Sequence, residues 1–350
     1  MSRPLRIILI LGLINLVLLT IYYGHTDKQL SNTKIVVSSR LSEIGEEKAL
    51  EEEKTKWSAR TDAVGASQAY KEFLEVYKDE HFGIQHTFAH MMGQMLFEKL
   101  GLDGLTVCDS TFAFGCYHSF FGQALISYGV SVVKQLDEVC TQTYGPYGTG
   151  CQHGIGHGLL EYFGHKQLAK ALEACSLTIK VSPLSGCSSG VFMEYNFPTV
   201  IDENSTTAQT RAIDFSKPYD PCPNMSNEYR PACYNGLAQW WSRGALYNGD
   251  YQKMGELCHK IEEANDRDVC FLGIGAIAAP SSNYVVVDTL AKCQKMPESG
   301  EQIFCRAGAS WGFFASPEHR EMAGTLCEGI SQLSSGRCIH GRDLVGIPNI

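Results

Sequence analysis

The sequence predicts an all-α protein: a solenoid of about seven to eight helix–turn–helix repeats, each stapled by one short-range disulfide, behind a single transmembrane helix. Three observations predict this class. Fourteen cysteines fall into seven close pairs: Cys108/Cys116, Cys140/Cys151, Cys175/Cys187, Cys222/Cys233, Cys258/Cys270, Cys293/Cys305 and Cys327/Cys338. The second cysteine of a pair opens Cys-x-x-Gly in six of the seven cases, and after Cys116 the glycine is replaced by Ser119. Successive second cysteines lie 35, 36, 46, 37, 35 and 33 residues apart. A period of roughly 35 residues with one insertion is the signature of stacked helical hairpins.

In chain order, residues 1–6 form a short tail with Arg3 and Arg6, and residues 7–23 are apolar. Seventeen helical residues span roughly 25 Å, near the lower limit for crossing a bilayer. The preceding arginines predict a cytoplasmic N-terminus and an exported remainder, in a periplasm, at a cell surface or in a secretory lumen. A cleaved signal peptide is the alternative. The stretch ends Leu19-Thr-Ile-Tyr-Tyr-Gly24, with bulky groups where a cleavage site needs small ones, which favours an uncleaved signal anchor.

Residues 24–66 read as a linker and a charged helical stalk. Glu46-Glu47-Lys48 and Glu51-Glu52-Glu53-Lys54 place acids three to four residues before lysines, the spacing of a solvated helix. Residues 67–350 are the repeat domain. Ala69 to Tyr77 reads as a helix, and Ile84-Gln85-His86-Thr-Phe-Ala-His90 aligns with Cys151-Gln152-His153-Gly-Ile-Gly-His157, with Ile84 in the cysteine position of a capping repeat.

One full repeat is legible from Cys233. Cys233 to Gly244 has helical spacing of its apolar residues, Tyr247-Asn-Gly-Asp250 is turn chemistry with Asp250 as N-cap, and Tyr251 to Cys258 is a second helix. The repeat from Cys305 follows the same scheme, with Ser316-Pro317 as N-cap and first helical residue before Met322 and Leu326. The staples thus tie the end of one repeat to the start of the next. In the chain-entropy account each such closure contributes about 3 kcal/mol. The chain ends soon after Cys338-Ile-His340-Gly341, a truncated last repeat.

The bulk properties agree. Even-numbered, regularly spaced cysteines read as disulfides of an oxidising compartment, and no Cys-x-x-Cys is present to suggest thiolate metal chemistry. The net charge is −9, and outside the basic tail the chain is more acidic still. With no basic stripe, nucleic acid is not an expected partner.

In repeat length and in one disulfide per repeat, residues 68–345 resemble the cysteine-rich members of the Sel1/tetratricopeptide-like helical repeat proteins. That resemblance implies an export-compartment scaffold or partner-binding solenoid.

The histidines supply the second functional reading. The position two after the motif cysteine holds, repeat by repeat, His86 (in the alignment above), His118, His153, Ser189, Asn235, Leu272, Ala307 and His340. The position six after holds His90, Gly122, His157, Met193, Gln239, Ala276 and Trp311. His86/His90/Gln94 and His153/His157/Glu161 each line one helix face at i, i+4, i+8. Stacked helices lie about 8–10 Å apart, so imidazoles from neighbouring repeats are placed to converge. Two histidines one turn apart are a half-site for Zn, Cu, Ni or Fe, which Glu161 or Glu194 would complete. The competing reading is structural: inner-face histidines packing on Phe88, Phe120 and Phe121. Neither pair is His-Glu-x-x-His, since Thr87 and Gly154 stand where the zincin base would be.

The insertion at Asn196 to Pro223 carries one glycosylation sequon at Asn204 and precedes another at Asn224, which matter only in a glycosylating cell. Trp240-Trp241 reads as inter-helix core. No Gly-x-Ser-x-Gly, P-loop or dinucleotide fingerprint is present, so no catalytic residue is nominated. The expected function is a membrane-anchored binding or scaffold module for a protein or surface polymer. The alternative is a metal-binding protein or metal-dependent enzyme built on His86, His90, His118, His153, His157 and Glu161.

Overall fold

The structure is a computed structural model that describes residues 46–341, apart from residues 81, 113, 146–148, 180–183, 185, 197–213, 215, 244–248, 317, 330–337 and 339–340. All regular secondary structure among the described residues is helical. None of the described helices is long and apolar enough to cross a membrane. The apolar segment 7–23, the linker before residue 46, Asn204, the Tyr247-Asn248 turn, Pro317 and His340 lie outside the described residues. The chain divides into two compact units, residues 1–88 and 89–350.

In the first unit, α1 (Glu46–Val64) and α2 (Ala66–Tyr77) form a hairpin. Between them Gly65 sits at φ 85°, which costs little only without a Cβ. The predicted stalk helix therefore forms, but one stripe of it is not solvated. Ala49, Glu53, Trp57 and Thr61, each one turn apart, are buried. The Trp57 ring meets Phe73 edge-on at 5.5 Å and Tyr77 at 6.2 Å. Glu53 Oε2 accepts from Trp57 Nε1 at 3.1 Å, the Tyr77 hydroxyl at 2.5 Å and Lys56 Nζ at 2.8 Å. Burial, then the adjacent Glu53 charge, pushes the Tyr77 phenol far up. Helix α3 (Phe82–Leu100) crosses the division between the units.

The second unit is a succession of helices: α4 (Gly115–Tyr128), α5 (Val133–Tyr144), α6 (Thr149–Phe163), α7 (Leu168–Ala174), α8 (Cys187–Asn196), α9 (Arg230–Arg243), α10 (Tyr251–His259), α11 (Ala264–Ala278), α12 (Val286–Cys293) and α13 (Ser299–Ala315). The predicted helices at Cys233 and Tyr251 are α9 and α10, and the Asp250 side chain accepts from the Lys253 amide at 3.1 Å, as an N-cap does. One expectation fails. Ser316 is the C-cap of α13, and the segment after it is a 3-10 helix, Arg320–Cys327, instead of an α-helix opened by Ser316-Pro317.

All seven predicted cysteine pairs are disulfide-bonded, with Cα–Cα distances of 5.4 to 5.9 Å. Helices α4, α6, α8, α9, α11 and α13, each carrying a second cysteine, pack one against the next. The glycines explain how closely. A Cβ on Gly190 would stand 1.8 Å from the His153 carbonyl oxygen, one on Gly273 2.0 Å from that of Asn235, and one on Gly308 1.9 Å from that of Leu272. In each case the motif glycine of one helix rests on the backbone two residues after the motif cysteine of the preceding one. The tryptophans are core, as expected: Trp240 and Trp241 are buried, and Trp241 Nε1 donates to Pro218 O at 2.9 Å, tethering the described end of the insertion.

Candidate metal centre

A second recurring contact sets the register of the histidines. Gly156 and Gly275 stand five residues after their motif cysteines, and a Cβ on either would meet the carbonyl oxygen of the next motif cysteine, Cys187 at 2.0 Å and Cys305 at 1.9 Å. Gly93 makes the same contact with Cys116, at 2.0 Å. Five residues before Gly93 is position 88. The capping repeat therefore aligns through Phe88 and not through Ile84, one helical turn later than the sequence alignment had it. With that correction His90 is the equivalent of His118 and His153, and His86 lies one turn outside the repeat pattern. No cysteine marks this repeat, and the histidine spacing alone favours Ile84, which matches two histidines where Phe88 matches one. The glycine contact decides for Phe88.

Four of the five predicted histidines are contiguous within the second unit. His90 Nε2 lies 3.3 Å from His118 Nδ1. The His118 and His157 rings lie 4.1 Å apart, centre to centre. His157 Nε2 lies 3.0 Å from His153 Nε2. His118, His153 and His157 are buried. Two of the interhelical contacts follow one rule: the position two after the cysteine in one helix faces the position six after it in the next. His118 thus meets His157, and His153 meets Met193, whose Sδ lies 3.2 Å from His153 Nε2. His86 lies on α3 in the first unit, one turn before His90.

The carboxylate that joins the row is Glu194. Its Oε2 is 2.8 Å from His157 Nδ1, with both side chains buried. Glu161 is placed elsewhere. It lies one turn beyond His157, with a carboxylate oxygen 2.3 Å from where a Gly122 Cβ would stand, a space that exists because Gly122 has no side chain. Gln94 also leaves the site and donates to Glu98 at 3.0 Å.

The local chemistry orients His157 and keeps His153 neutral. The Glu194 carboxylate accepts at His157 Nδ1, which fixes the ring with Nε2 directed at His153. Burial first, and the His157 charge second, holds the His153 pKa well below the ordinary imidazole value. Between the two Nε2 atoms there is room for one proton or one metal ion. Two nitrogens each about 2.1 Å from a metal and subtending about 90–105° are about 3.0–3.3 Å apart, which the observed 3.0 Å matches. One aromatic contact that the sequence did not single out is present as well, with Phe114 6.0 Å from His153, ring centre to ring centre.

His153 also lines a cavity of about 410 Å³. Phe114, Tyr117 and Tyr144 wall it on one side, Trp311, Phe314 and Arg320 on another. His153 Nδ1 is buried and has no hydrogen-bond partner among the described residues. Sequence reasoning missed both the cavity and the role of Met193. Met193 stood in the same column as His157, but its thioether counted as apolar. The cavity joins residues some 200 positions apart, and no local pattern connects them. Of the two sequons, Asn224 is exposed at a 3-10 turn, Cys222–Asn224.

Comparison of the chain with protein-family models, with curated proteins and with solved structures gave no match.

Proposed function

We propose that the chain is a membrane-anchored, extracytoplasmic helical-repeat protein that holds a transition metal ion on the histidine row of its first repeats. The observation that carries the reading is the pairing of His153 Nε2 and His157 Nε2 at 3.0 Å, with Glu194 on the other nitrogen of His157 at 2.8 Å. Metal-bound histidines characteristically give their second nitrogen to a carboxylate. Seven disulfides support an oxidising compartment, and the apolar segment 7–23 behind Arg3 and Arg6 supports the anchor. The motif-glycine contacts shared by Gly190, Gly273 and Gly308 support a solenoid of the Sel1/tetratricopeptide-like design.

The test is metal analysis of the protein purified without chelators or affinity metals, then titration with Zn(II) and Cu(I). About one ion per chain is expected, with at least tenfold weaker binding in His157→Asn. A chain that carries no ion and takes up none sinks the reading.

A scaffold role for the same array has its own support in exposed apolar side chains. Ile126, Tyr128 and Tyr162 are 60%, 53% and 42% exposed at the ends of the packed helices α4 and α6. A protein or surface-polymer partner there predicts that Ile126→Ser with Tyr162→Ser abolishes partner binding and leaves metal content unchanged. Retention of binding by that double variant would remove this role.

A further inference from the structure

The histidine row ends in sulfur. Met193 holds the position six after the motif cysteine in α8, the place His157 holds in α6, and the packing rule carries it onto His153. Its Sδ is 3.2 Å from His153 Nε2, which is itself 3.0 Å from His157 Nε2. Both contacts radiate from one nitrogen, and both have the length expected across a shared ion. A metal about 2.0 Å from nitrogen and about 2.3 Å from sulfur, with an included angle near 95–100°, separates the two atoms by about 3.2–3.3 Å.

From this geometry we infer that His153, His157 and Met193 form a binding site for monovalent copper. The inference rests on the metal reading above and adds to it the identity of the ion. Thioether sulfur is a soft donor that favours Cu(I), whereas Zn(II) sites draw on thiolate, imidazole and carboxylate. No free cysteine is present to supply a thiolate, because all fourteen are bridged. The nearest carboxylate, Glu194, is engaged at His157 Nδ1, on the far side of that ring from His153. The donors left facing one another are therefore two imidazoles and one thioether, a neutral set suited to a soft, singly charged ion. His153 is also a wall of the 410 Å³ cavity, which gives the ion a way in to a site that is otherwise buried.

The experiment uses the full chain with its disulfides intact. Cu(I) is offered from its bicinchoninate complex under anaerobic conditions, Zn(II) from a chromophoric chelator, and Met193→Leu is compared with the unaltered protein. The expected result is one Cu(I) per chain, at least tenfold weaker Cu(I) binding in Met193→Leu, and Zn(II) binding altered less than twofold. X-ray absorption of the Cu(I)-loaded unaltered protein should show one sulfur neighbour near 2.3 Å. This second measurement stands even if the variant folds poorly. Equal Cu(I) affinity in both proteins, or a copper shell with no sulfur, overturns the inference and leaves the histidine metal site standing. Failure of the unaltered protein to bind either ion overturns both.

Discussion

Replacing Gly190 with alanine should both loosen the fold and disable the proposed metal site, because a single contact underlies the two. The added Cβ would lie 1.8 Å from the His153 carbonyl oxygen and 2.8 Å from its carbon. Ordinary contact needs about 3.3 Å, so α8 must back away from α6 by about 1.5 Å. The obstacle is helix backbone, which cannot rotate aside as a side chain can, so the cost falls near the upper end of the overpacking range, about 3 kcal/mol. Alanine recovers about 1 kcal/mol of that through its better helix propensity. The net loss of about 2 kcal/mol corresponds to a drop in Tm of about 4–8 °C for a unit of this size. Calorimetry with intact disulfides measures it. Two controls locate the effect. A Cβ on Gly324 meets nothing within 4 Å, so Gly324→Ala should melt with the unaltered protein. Gly273→Ala meets the Asn235 carbonyl at 2.0 Å, so it should be destabilised as Gly190→Ala is, yet keep its metal affinity, since no histidine lies at that junction. Gly190→Ala should lose at least tenfold in metal affinity. A Gly190→Ala protein that melts normally would refute the idea that these helices touch backbone to backbone.

Other perturbations bear on separate parts of the molecule. Removing the Cys258–Cys270 bridge as a double alanine variant opens a loop with a sequence separation of 12 and should cost about 3 kcal/mol of stability, read from denaturant unfolding. Glu194→Gln should weaken metal binding by about 10–100-fold while one ion per chain is still reached at saturation, as for a residue that positions a ligand; unchanged affinity would mean that the His157–Glu194 contact is merely structural. Tyr77 has a raised folded-state pKa, so its contribution to stability is fully present below the unfolded phenol pKa of about 10 and is lost as pH rises above it. Amide protection factors across 46–77, taken relative to the intrinsic base-catalysed exchange rate, should therefore fall above about pH 10, and Tyr77→Phe should flatten that dependence.

The staples and helix pairs were legible because cysteine spacing and 3.6-residue periodicity are local properties of the chain. What was not legible lay between helices. The Ser316-Pro317 signal suggested an N-cap, but Ser316 is spent on ending α13, and the following eight residues, Arg320–Cys327, wind as a 3-10 helix. Of the two candidate carboxylates, i+4 spacing pointed equally well to Glu161 as the third member of its helix face. The structure chose Glu194 on the neighbouring helix, because Gly122 leaves a recess that takes the Glu161 side chain away. The burial of Trp57 escaped notice for a related reason. Its helix is so rich in Glu and Lys that the apolar stripe of Ala49 and Trp57 is only two residues deep, and Glu53 between them is buried through hydrogen bonds rather than hydrophobicity.

The two-to-six contact bears on why the proposed metal chemistry falls on the histidine-bearing helices. At two junctions among the described residues the second position after one motif cysteine meets the sixth position after the next. Imidazole or thioether donors occupy both places there, His118 with His157 and His153 with Met193. The corresponding sequence positions further along hold Ser189 and Gln239, Asn235 and Ala276, and Leu272 and Trp311, none of which offers an imidazole or a thioether. Asn235 instead donates to the Val269 carbonyl at 3.1 Å, so the polar column turns inward to backbone where the ligand column stops. The glycine contact recurs at Gly190, Gly273 and Gly308, whereas at the junction of α8 with α9 a Cβ on Gly236 would instead stand 3.0 Å from Asn196 Nδ2 and 3.4 Å from Phe192 Cβ. Backbone architecture and site are therefore separable. Exchanging Met193 and the three buried histidines for the residues of the later repeats should abolish metal binding without disturbing the stack. The converse, placing histidines at positions 235 and 276, should create a second imidazole pair at a junction that has none.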